Sequence, residues 1–388
     1  MRKEGVTLEK KNDEPIRVLH IIGNVCGGGV ESVVMNYYRH MDRSKVQFDF
    51  VIDGYGKSLL DDEIKSLGGR VYKVEPYSRN LFKQIYQIRS IVKNNSYVIV
   101  HSHMNTLAIF SLFAAWWGGA KKRIVHNHST ATKGETLRTM MKYLLCPFAK
   151  VFANQYAACS VLAARWMFGS LVKKNKVVIF NNAIDLEHFS YNKSEREKYR
   201  AELGVGKDCF VIGHIGRFVY QKNHKFLIDI MCELVKKNKN TILLLIGDGP
   251  LYGEILDEVK RMGLFNKIRF LGLRKDVAEL YNVMDVFVLP SWYEGLPVVS
   301  IEAQSNGLPC FVSNRVSDEC QLTTTLYFMP LEHSAEQWAE EILRHPRKRN
   351  AFVDEELREA GFDIVYEAEK MQKFYTSLSV RGGGVKNL

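Results

Sequence analysis

Short β-branched runs alternate with helix-length stretches through most of this 388-residue chain, and the alternation lapses once before restarting. Strands alternating with helices build parallel sheets covered by helices, so this pattern leaves few architectures open. In the first half the strand candidates are Ile16–Ile22 ("IRVLHII"), Gln47–Ile52, Arg70–Val74, Tyr97–His101, Arg123–His126 and Val177–Phe180. A glycine loop, Gly27-Gly28-Gly29, follows the first strand and leads into a helical stretch from Val30 to Met41. The lapse, Asn181–Asp208, is polar and turn-rich and reads as an interdomain linker. Beyond it, strands are expected at Cys209–Ile215, Thr241–Ile246, Ile268–Leu271, Val286–Leu289 and Pro309–Ser313. Helices are expected at Asn223–Lys237, Tyr252–Met262, Val277–Val283 and Pro297–Asn306, and the run Phe362–Ser377 is amphipathic. The expected fold class is α/β, with two Rossmann-like doubly wound domains, 1–182 and 183–361, facing each other across a cleft, and a final segment 362–388. Ligands in such sheets sit beyond the C-terminal ends of the strands.

The length exceeds what one ordinary core organises. A chain 46% hydrophobic and 25% charged has the make-up of a folded globular protein. The N-terminal stretch MRKEGVTLEKKNDEP is polar and lacks the apolar core of a signal peptide. The longest apolar run, Leu107–Trp117, falls short of the roughly 20 residues that span a bilayer. Seven scattered cysteines with no C-x-x-C argue against a disulfide framework or a zinc ribbon and fit a reducing cytoplasm. The charge is uneven: residues 1–190 carry 27 Lys and Arg against 15 Asp and Glu, whereas 191–388 carry 27 against 28. Between 76 and 184 there are 15 basic residues and one acid, Glu135. Such a face is either solvated surface or drawn to an anionic partner. No homeodomain, zinc-finger or RNA-binding signature is present, so no nucleic-acid partner is expected.

The stretch "SWYEGLPVVSIEAQSNGLPCFVS" sets Glu294 and Glu302 eight positions apart in apolar surroundings. Val286–Leu289 ends a buried strand, Ser291–Leu296 is the loop after it, and Pro297 suits the first turn of a helix. Glu302 then lies roughly 7.5 Å along the helix axis, and both carboxylates can face one pocket. Carboxylates accept from vicinal hydroxyls, and the helix start between them favours a phosphate. That layout suits a nucleotide-sugar. The alternative is an acid offsetting the helix dipole plus an unrelated surface acid. The loop "GRFVYQKN" holds Arg217 and Lys222, two cations that can neutralise a departing diphosphate; alone it reads equally as a solvated loop.

In the first half, the glycines of "GNVCGGGVE" permit close approach to a phosphate. "GDGPLYG" resembles a dinucleotide fingerprint but lacks a ribose-binding acid at the expected offset, and it reads as a turn. The pairs His101-x-His103 and His126-x-His128 each sit at a strand end with side chains on one face. They are either zinc ligands or hydrogen-bonded groups lining a cleft. No D-x-D occurs, so a metal-bridged diphosphate has no obvious ligand.

Taken together, these residues resemble the retaining glycosyltransferases of family four, which have the GT-B fold. The resemblance covers Ile16 to Tyr375 and rests on Glu294-x7-Glu302 with "EGLP", on Gly307–Pro309, and on "GRFVYQKN", "NNAIDLEHF", "GGGVE" and "HNHST". "HSHMNTLAIF", "HNHSTATKG" and "VSDE" followed by "WAEEIL" resemble the exopolysaccharide and capsule branch. One departure is Ala183, where the family often has an Asn-Gly turn. The resemblance implies that Glu302 holds the ribose hydroxyls. Glu294, with the backbone amides of Gly295, Leu296 and Pro297, would hold the donor sugar. Arg217 and Lys222 would grip the diphosphate, Gly28 and Gly29 would approach it from the other domain, and His128 would sit at the reaction centre. The N-terminal domain would take the acceptor, the C-terminal domain the nucleotide-sugar, and the last helix would cross back to the first domain.

The implied activity is transfer of a hexose, with retention and without metal or cofactor, from a nucleotide-diphosphate-sugar to a glycan or a polyprenyl-diphosphate-linked sugar. It belongs to cell-surface polysaccharide biosynthesis. The implied place is the cytoplasm, peripheral to the inner face of the cell membrane. There the basic first domain would meet anionic lipid, with Trp116, Trp117 and Trp166 offering interfacial contact where they are not buried. The rivals are a nucleotide-sugar 2-epimerase, which needs no acceptor, and a non-catalytic partner of another transferase, against which the complete set Arg217, Lys222, Glu294 and Glu302 argues. A nicotinamide oxidoreductase would account for "GDGPLYG" but not for those four.

Overall fold

The computed structural model describes residues 14–25, 28–58, 60–129, 136–345 and 348–380. The polar N-terminal stretch up to residue 13, Gly27 of the glycine loop and residues 130–135 of the "HSTATKGE" loop lie outside these residues.

Two parallel sheets form. The first contains β1 (Ile16–Gly23), β2 (Val46–Asp53), β3 (Val71–Val74), β4 (Ile99–Ser102), β5 (Lys122–Asn127), β6 (Gln155–Ala158) and β7 (Val177–Ile179), in the order β3-β2-β1-β4-β5-β6-β7. The second contains β8 (Phe210–Ile215), β9 (Thr241–Ile246), β10 (Ile268–Gly272), β11 (Val286–Leu289), β12 (Cys310–Ser313) and β13 (Leu326–Met329), in the order β10-β9-β8-β11-β12-β13. The helices used below are α1 (Gly29–His40), α2 (Tyr77–Asn94), α3 (Ala108–Trp117), α4 (Thr136–Leu145), α5 (Val161–Phe168), α6 (His224–Lys237), α7 (Val277–Val283), α8 (Val298–Ser305) and α9 (Ile364–Val380).

Burial explains the strand sequences. "TILLLI" of β9 and "FVIGHI" of β8 are buried along their whole length, as parallel strands covered on both faces must be. In the first sheet, apolar residues of α2, α3 and α5 pack on one face, and those of α1 and α9 on the other. Tyr375 of α9 is fully buried there, and Glu367 of α9 accepts from Tyr37 of α1 at 3.1 Å. The last helix thus belongs physically to the first sheet, although its sequence neighbours belong to the second.

Two strands escape the sequence pattern. β6 ("QYAA") and β13 ("LYFM") have four residues each and no β-branched residue, and they form because a neighbouring parallel strand already offers its edge. The stretch Asn181–Asp208 is also more ordered than a linker. It holds short helices at Leu186–Phe189 and Lys193–Glu202. Arg196 and Arg200 of the latter reach Asp285 at 2.5 and 2.8 Å, which anchors this polar segment beside β11.

The strand orders fix where a ligand can go. β1 and β4 are neighbours whose connections run to opposite sides, and so are β8 and β11. The loops leaving the C-terminal ends of these pairs diverge, and a crevice opens between them.

Candidate active site

One wall is built by the loops after β8 and β11. The first, Gly216-Arg217-Phe218, lies on the turn that follows β9: Phe218 N–H donates to the Asp248 carbonyl and Leu251 N–H to the Phe218 carbonyl, both at 3.0 Å. Gly247 in that turn has φ +136°, and a Cβ there would lie 2.1 Å from the Gly216 carbonyl oxygen. Only glycine lets the two loops touch, so "GDGP" supports the Arg217 loop from behind. Arg217 itself is exposed, and its guanidinium has no partner among the described residues. A 3-10 turn, Tyr220–Lys222, leads to Asn223 at φ 55°, ψ 46°, a conformation asparagine tolerates better than most residues. Asn223 Nδ2 donates to the Pro290 carbonyl at 3.1 Å and clips this loop to the one after β11.

Glu294 is held in that second loop by three side chains. Lys222 Nζ lies 2.7 Å from Oε1, Ser291 Oγ donates to Oε1 at 3.1 Å, and Gln221 Nε2 donates to Oε2 at 3.0 Å. The Lys222 and Glu294 side chains are only 14% and 10% exposed. The family resemblance gives these two residues separate grips, one for a diphosphate and one for a sugar. In the structure they form an ion pair, in which the Lys222 ammonium keeps further N–H donors, and Arg217 is the cation without a partner among the described residues.

α8 begins directly after the loop. Pro297 caps it with φ −71°, ψ 119°, and Val298 is its first helical residue. One expectation needs correcting here. Proline has no N–H, so Pro297 cannot donate a backbone hydrogen bond. The free amides of the first turn are those of Val298 and Val299, and the loop amides of Gly295 and Leu296 precede them. Glu302 lies one turn further along. Its Oε2 accepts from the Tyr281 hydroxyl of α7 at 2.9 Å. Burial of the carboxylate pushes Glu302 up to about 7, against the hydrogen bond from Tyr281, which acts the other way.

The first sheet supplies the facing wall. A Cβ on Gly29 would lie 4.0 Å from Val298 Cγ2, and one on Gly295 would lie 3.9 Å from the His128 carbonyl oxygen. Asn182 Nδ2 donates to the Leu296 carbonyl at 2.9 Å, and Leu162 N–H donates to Glu319 at 2.9 Å, both across the cleft. Gly29, His128, Gly295, Leu296 and Pro297 therefore meet, with Glu294 in the same loop as Gly295 and Lys222 in the loop after β8 beside it. The Gly28 N–H donates to the Glu31 carboxylate at 3.1 Å, so an acid meets the N-terminus of α1.

Behind His128 the imidazoles are bonded to each other. His103 Nδ1 lies 2.9 Å from His128 Nε2, and His103 Nε2 lies 3.0 Å from His20 Nδ1. A second row runs from the Tyr375 hydroxyl to His101 Nδ1 at 2.6 Å and from His101 Nε2 to His126 Nδ1 at 3.1 Å. Two triads, His20–His101–His103 and His103–His126–His128, each bring three nitrogens within 4.8 Å of one another, close enough to consider a metal. The ring nitrogens of His101 and His103 are committed to neighbours in the two rows, and the imidazoles act as hydrogen-bonded groups beneath the cleft. His20 was visible in sequence only as a polar residue inside an apolar strand. Gln221, Ser291 and Tyr281, which orient the two glutamates, carried no sequence signal of their own.

Residues 27–188 match the family described as Glycosyltransferase Family 4, and residues 209–345 the family described as Glycosyl transferases group 1. The chain is 37% identical over 363 residues to the putative glycosyltransferase EpsF of Bacillus subtilis, covering 91% of this chain and 94% of that protein. It is 24% identical over 395 residues to the UDP-Gal:alpha-D-GlcNAc-diphosphoundecaprenol alpha-1,3-galactosyltransferase of Escherichia coli, covering 96% and 99%. The capsular polysaccharide biosynthesis glycosyltransferase CapH of Staphylococcus aureus is 23% identical over 376 residues, with coverage of 93% and 99%. Among solved structures, HepE of Anabaena in complex with UDP and glucose superposes with TM-score 0.75 at 18% identity, covering 93% of this chain and 100% of that one. WaaG, a glycosyltransferase involved in lipopolysaccharide biosynthesis, gives 0.70 at 14%, covering 95% and 100%. These likenesses establish the two-domain GT-B fold. From the two facing sheets, the residues that meet between them and the full-length match to EpsF, the chain belongs to the family-four, group 1 glycosyltransferases, among relatives that include two named for capsular polysaccharide biosynthesis.

Proposed function

We propose that this glycosyltransferase moves a hexose from a nucleotide-diphosphate-sugar to a glycan or polyprenyl-diphosphate-linked acceptor, with retained configuration and without a metal. The observation that carries the reading is the Lys222–Glu294 pair at the β8/β11 switch point, directly before the start of α8. Arg217 and Lys222 would neutralise the diphosphate as the C1–O bond breaks and its electron pair passes to the phosphate oxygen. Glu294 and the amides of Gly295, Leu296 and Val298 would hold sugar hydroxyls, and Glu302 with Tyr281 the ribose. The acceptor oxygen would bond C1 on the face the phosphate leaves, and the acceptor's proton would pass to that phosphate. Two names support the partners: the E. coli relative uses a UDP-sugar and a diphosphoundecaprenol-linked acceptor, and HepE binds UDP and glucose. Incubation with a panel of nucleotide-sugars, scored for sugar release with and without a lipid-linked acceptor, tests the reading. A C2-epimerised nucleotide-sugar as product would favour the epimerase instead.

Association with a membrane surface is part of the same proposal. No helix among the described residues is long and apolar enough to cross a bilayer. Met140, Tyr143 and Leu144 of α4 are each 60% exposed, and Phe148 and Val151 just beyond are also exposed. Trp116 and Trp117 of α3 are half exposed rather than buried, with Trp116 packed on Phe152 at 5.6 Å between ring centroids. Lys142 and Lys150 lie in the same stretch as α4, and Arg165 lies in α5. Each basic group near an anionic surface adds about 1 kcal/mol, so roughly four of the basic residues in this half, with the apolar fringe, suffice for reversible docking.

A further inference from the structure

His128 is the cleft end of a hydrogen-bonded row that runs inward through His103 to His20, on adjacent strands of the first sheet. His20 Nε2, at the inner end, is buried without a partner among the described residues, and the small cavity His20 lines is also lined by Val33, Val34, Tyr37, Phe48 and His126. The Phe48 ring lies nearly face to face with His20, 4.0 Å between centroids at 34°, so its π-face is not in line for an N–H donor in the plane of the His20 ring. His128 Nδ1, at the outer end, has no partner among the described residues and is not sealed from solvent.

The row has a direction. Burial keeps all three imidazoles neutral: it pushes His20 and His128 down to about 3 and His103 well below its ordinary value. A neutral imidazole carries one N–H. His103 touches an imidazole on each side, so it donates through one nitrogen and accepts through the other. Two arrangements remain. If the row donates inward, the last N–H sits on His20 Nε2, which is buried with no acceptor among the described residues. If it donates outward, His20 Nδ1–H bonds His103, His103 Nδ1–H bonds His128 Nε2, and the last N–H sits on His128 Nδ1 at the cleft. Buried donors without acceptors are rarer than under-satisfied acceptors, so the outward arrangement has the lower energy.

We propose that His20 and His103 are positioning residues that hold His128 as its Nδ1–H tautomer, so that His128 donates a hydrogen bond into the cleft and does not act as a base there. Free histidine in water favours the other tautomer, so the row selects the less common form. On the functional reading above, the recipient is an oxygen of the donor sugar or its diphosphate. The tautomer itself does not depend on that reading.

The test is 15N NMR of histidine-labelled full-length protein, with His128 assigned by its loss in His128→Asn. The native protein should show neutral His128 protonated at Nδ1 at pH 7. His103→Asn places an amide near the former Nδ1, keeps a donor to His128 and should preserve that tautomer. His103→Gln places its amide near the former Nε2, removes the donor and should shift His128 to Nε2–H. Once a donor substrate is in hand, His103→Gln should lose about 10- to 100-fold in kcat with donor KM little changed, and His103→Asn should recover most of it. Nε2–H or imidazolium at His128 in the native protein, or the same His128 spectrum in both variants, overturns the proposal. If both variants fail to fold, the native spectrum alone decides. An Nδ1–H spectrum alongside inactivity toward every nucleotide-sugar would leave the row standing and overturn the functional reading instead.

Discussion

Replacing Glu302 with Gln should stabilise the protein at pH 8 and change little at pH 5. The reason lies in where the carboxyl sits. Burial raises it from the ordinary 4.5 to about 7 in the folded state. Below pH 4.5 the group is neutral in both the folded and unfolded chains and contributes nothing. As pH rises from there towards 7, the unfolded chain releases the proton and the folded chain keeps it, so stability falls with pH; above 7 the full penalty applies. At about 1.4 kcal/mol per pH unit, the displacement corresponds to at most about 3 kcal/mol. The side chain keeps partial contact with solvent, and hydration there reduces the figure to about 1–2 kcal/mol. Gln retains an oxygen for the Tyr281 hydroxyl and removes the charge. Urea denaturation of the native and Glu302→Gln proteins between pH 5 and 8 measures the effect. The variant's advantage should grow from near zero to about 1–2 kcal/mol across that window. An advantage that does not vary with pH would show that the carboxyl titrates normally and that its burial is not what raises it.

Glu302→Gln should also weaken nucleotide binding more than turnover, whereas Glu294→Gln should cut turnover more than binding; equal, small effects from both would undo the assignment. Lys222→Ala should lower kcat/KM by about 10²–10³, the scale of one lost transition-state donor. EDTA should do little, and activity that depends strictly on Mg²⁺ or Mn²⁺ would contradict the metal-free mechanism. The chain should float with anionic vesicles at low salt and release at high salt, and Leu144→Glu in α4 should weaken flotation without altering donor hydrolysis; binding that is unaffected by salt and by that change would move the docking face elsewhere.

Much of this architecture was legible in the residues because buried parallel strands must be continuous apolar runs. "TILLLI" and "VFVL" could be bounded to the residue. "QYAA" and "LYFM" could not, since their strand state comes from the edge they join. The site divides the same way. Glu294 and Glu302 are carboxylates where the chain otherwise builds core, and that anomaly is visible in sequence, whereas Arg217 and Lys222 stand out only as two cations in the loop after a buried strand. Their pairing is not: the Lys222–Glu294 contact depends on β8 and β11 being neighbours, and Tyr281 reaches Glu302 from a different helix. Pro297 shows a limit of a different kind. Its place at the helix start is legible in the sequence, but the backbone donor that the family motif implies there cannot come from a residue without an N–H. His20 joins the histidine row only because β1 lies beside β4.

On the proposed function, the Lys222–Glu294 site binds and cleaves a nucleotide-diphosphate-sugar. The most direct measurement is slow hydrolysis of UDP-, GDP- and ADP-sugars by the purified full-length chain, followed by 1H NMR fast enough to see which anomer is released first. One donor should be cleaved, the first sugar released should carry the donor's own anomeric configuration, and Lys222→Ala should remove the activity while melting within a few degrees of the native protein. A first-released sugar of inverted configuration would contradict retention. No cleavage and no binding of any nucleotide-sugar, or cleavage undiminished in Lys222→Ala, would contradict the site itself.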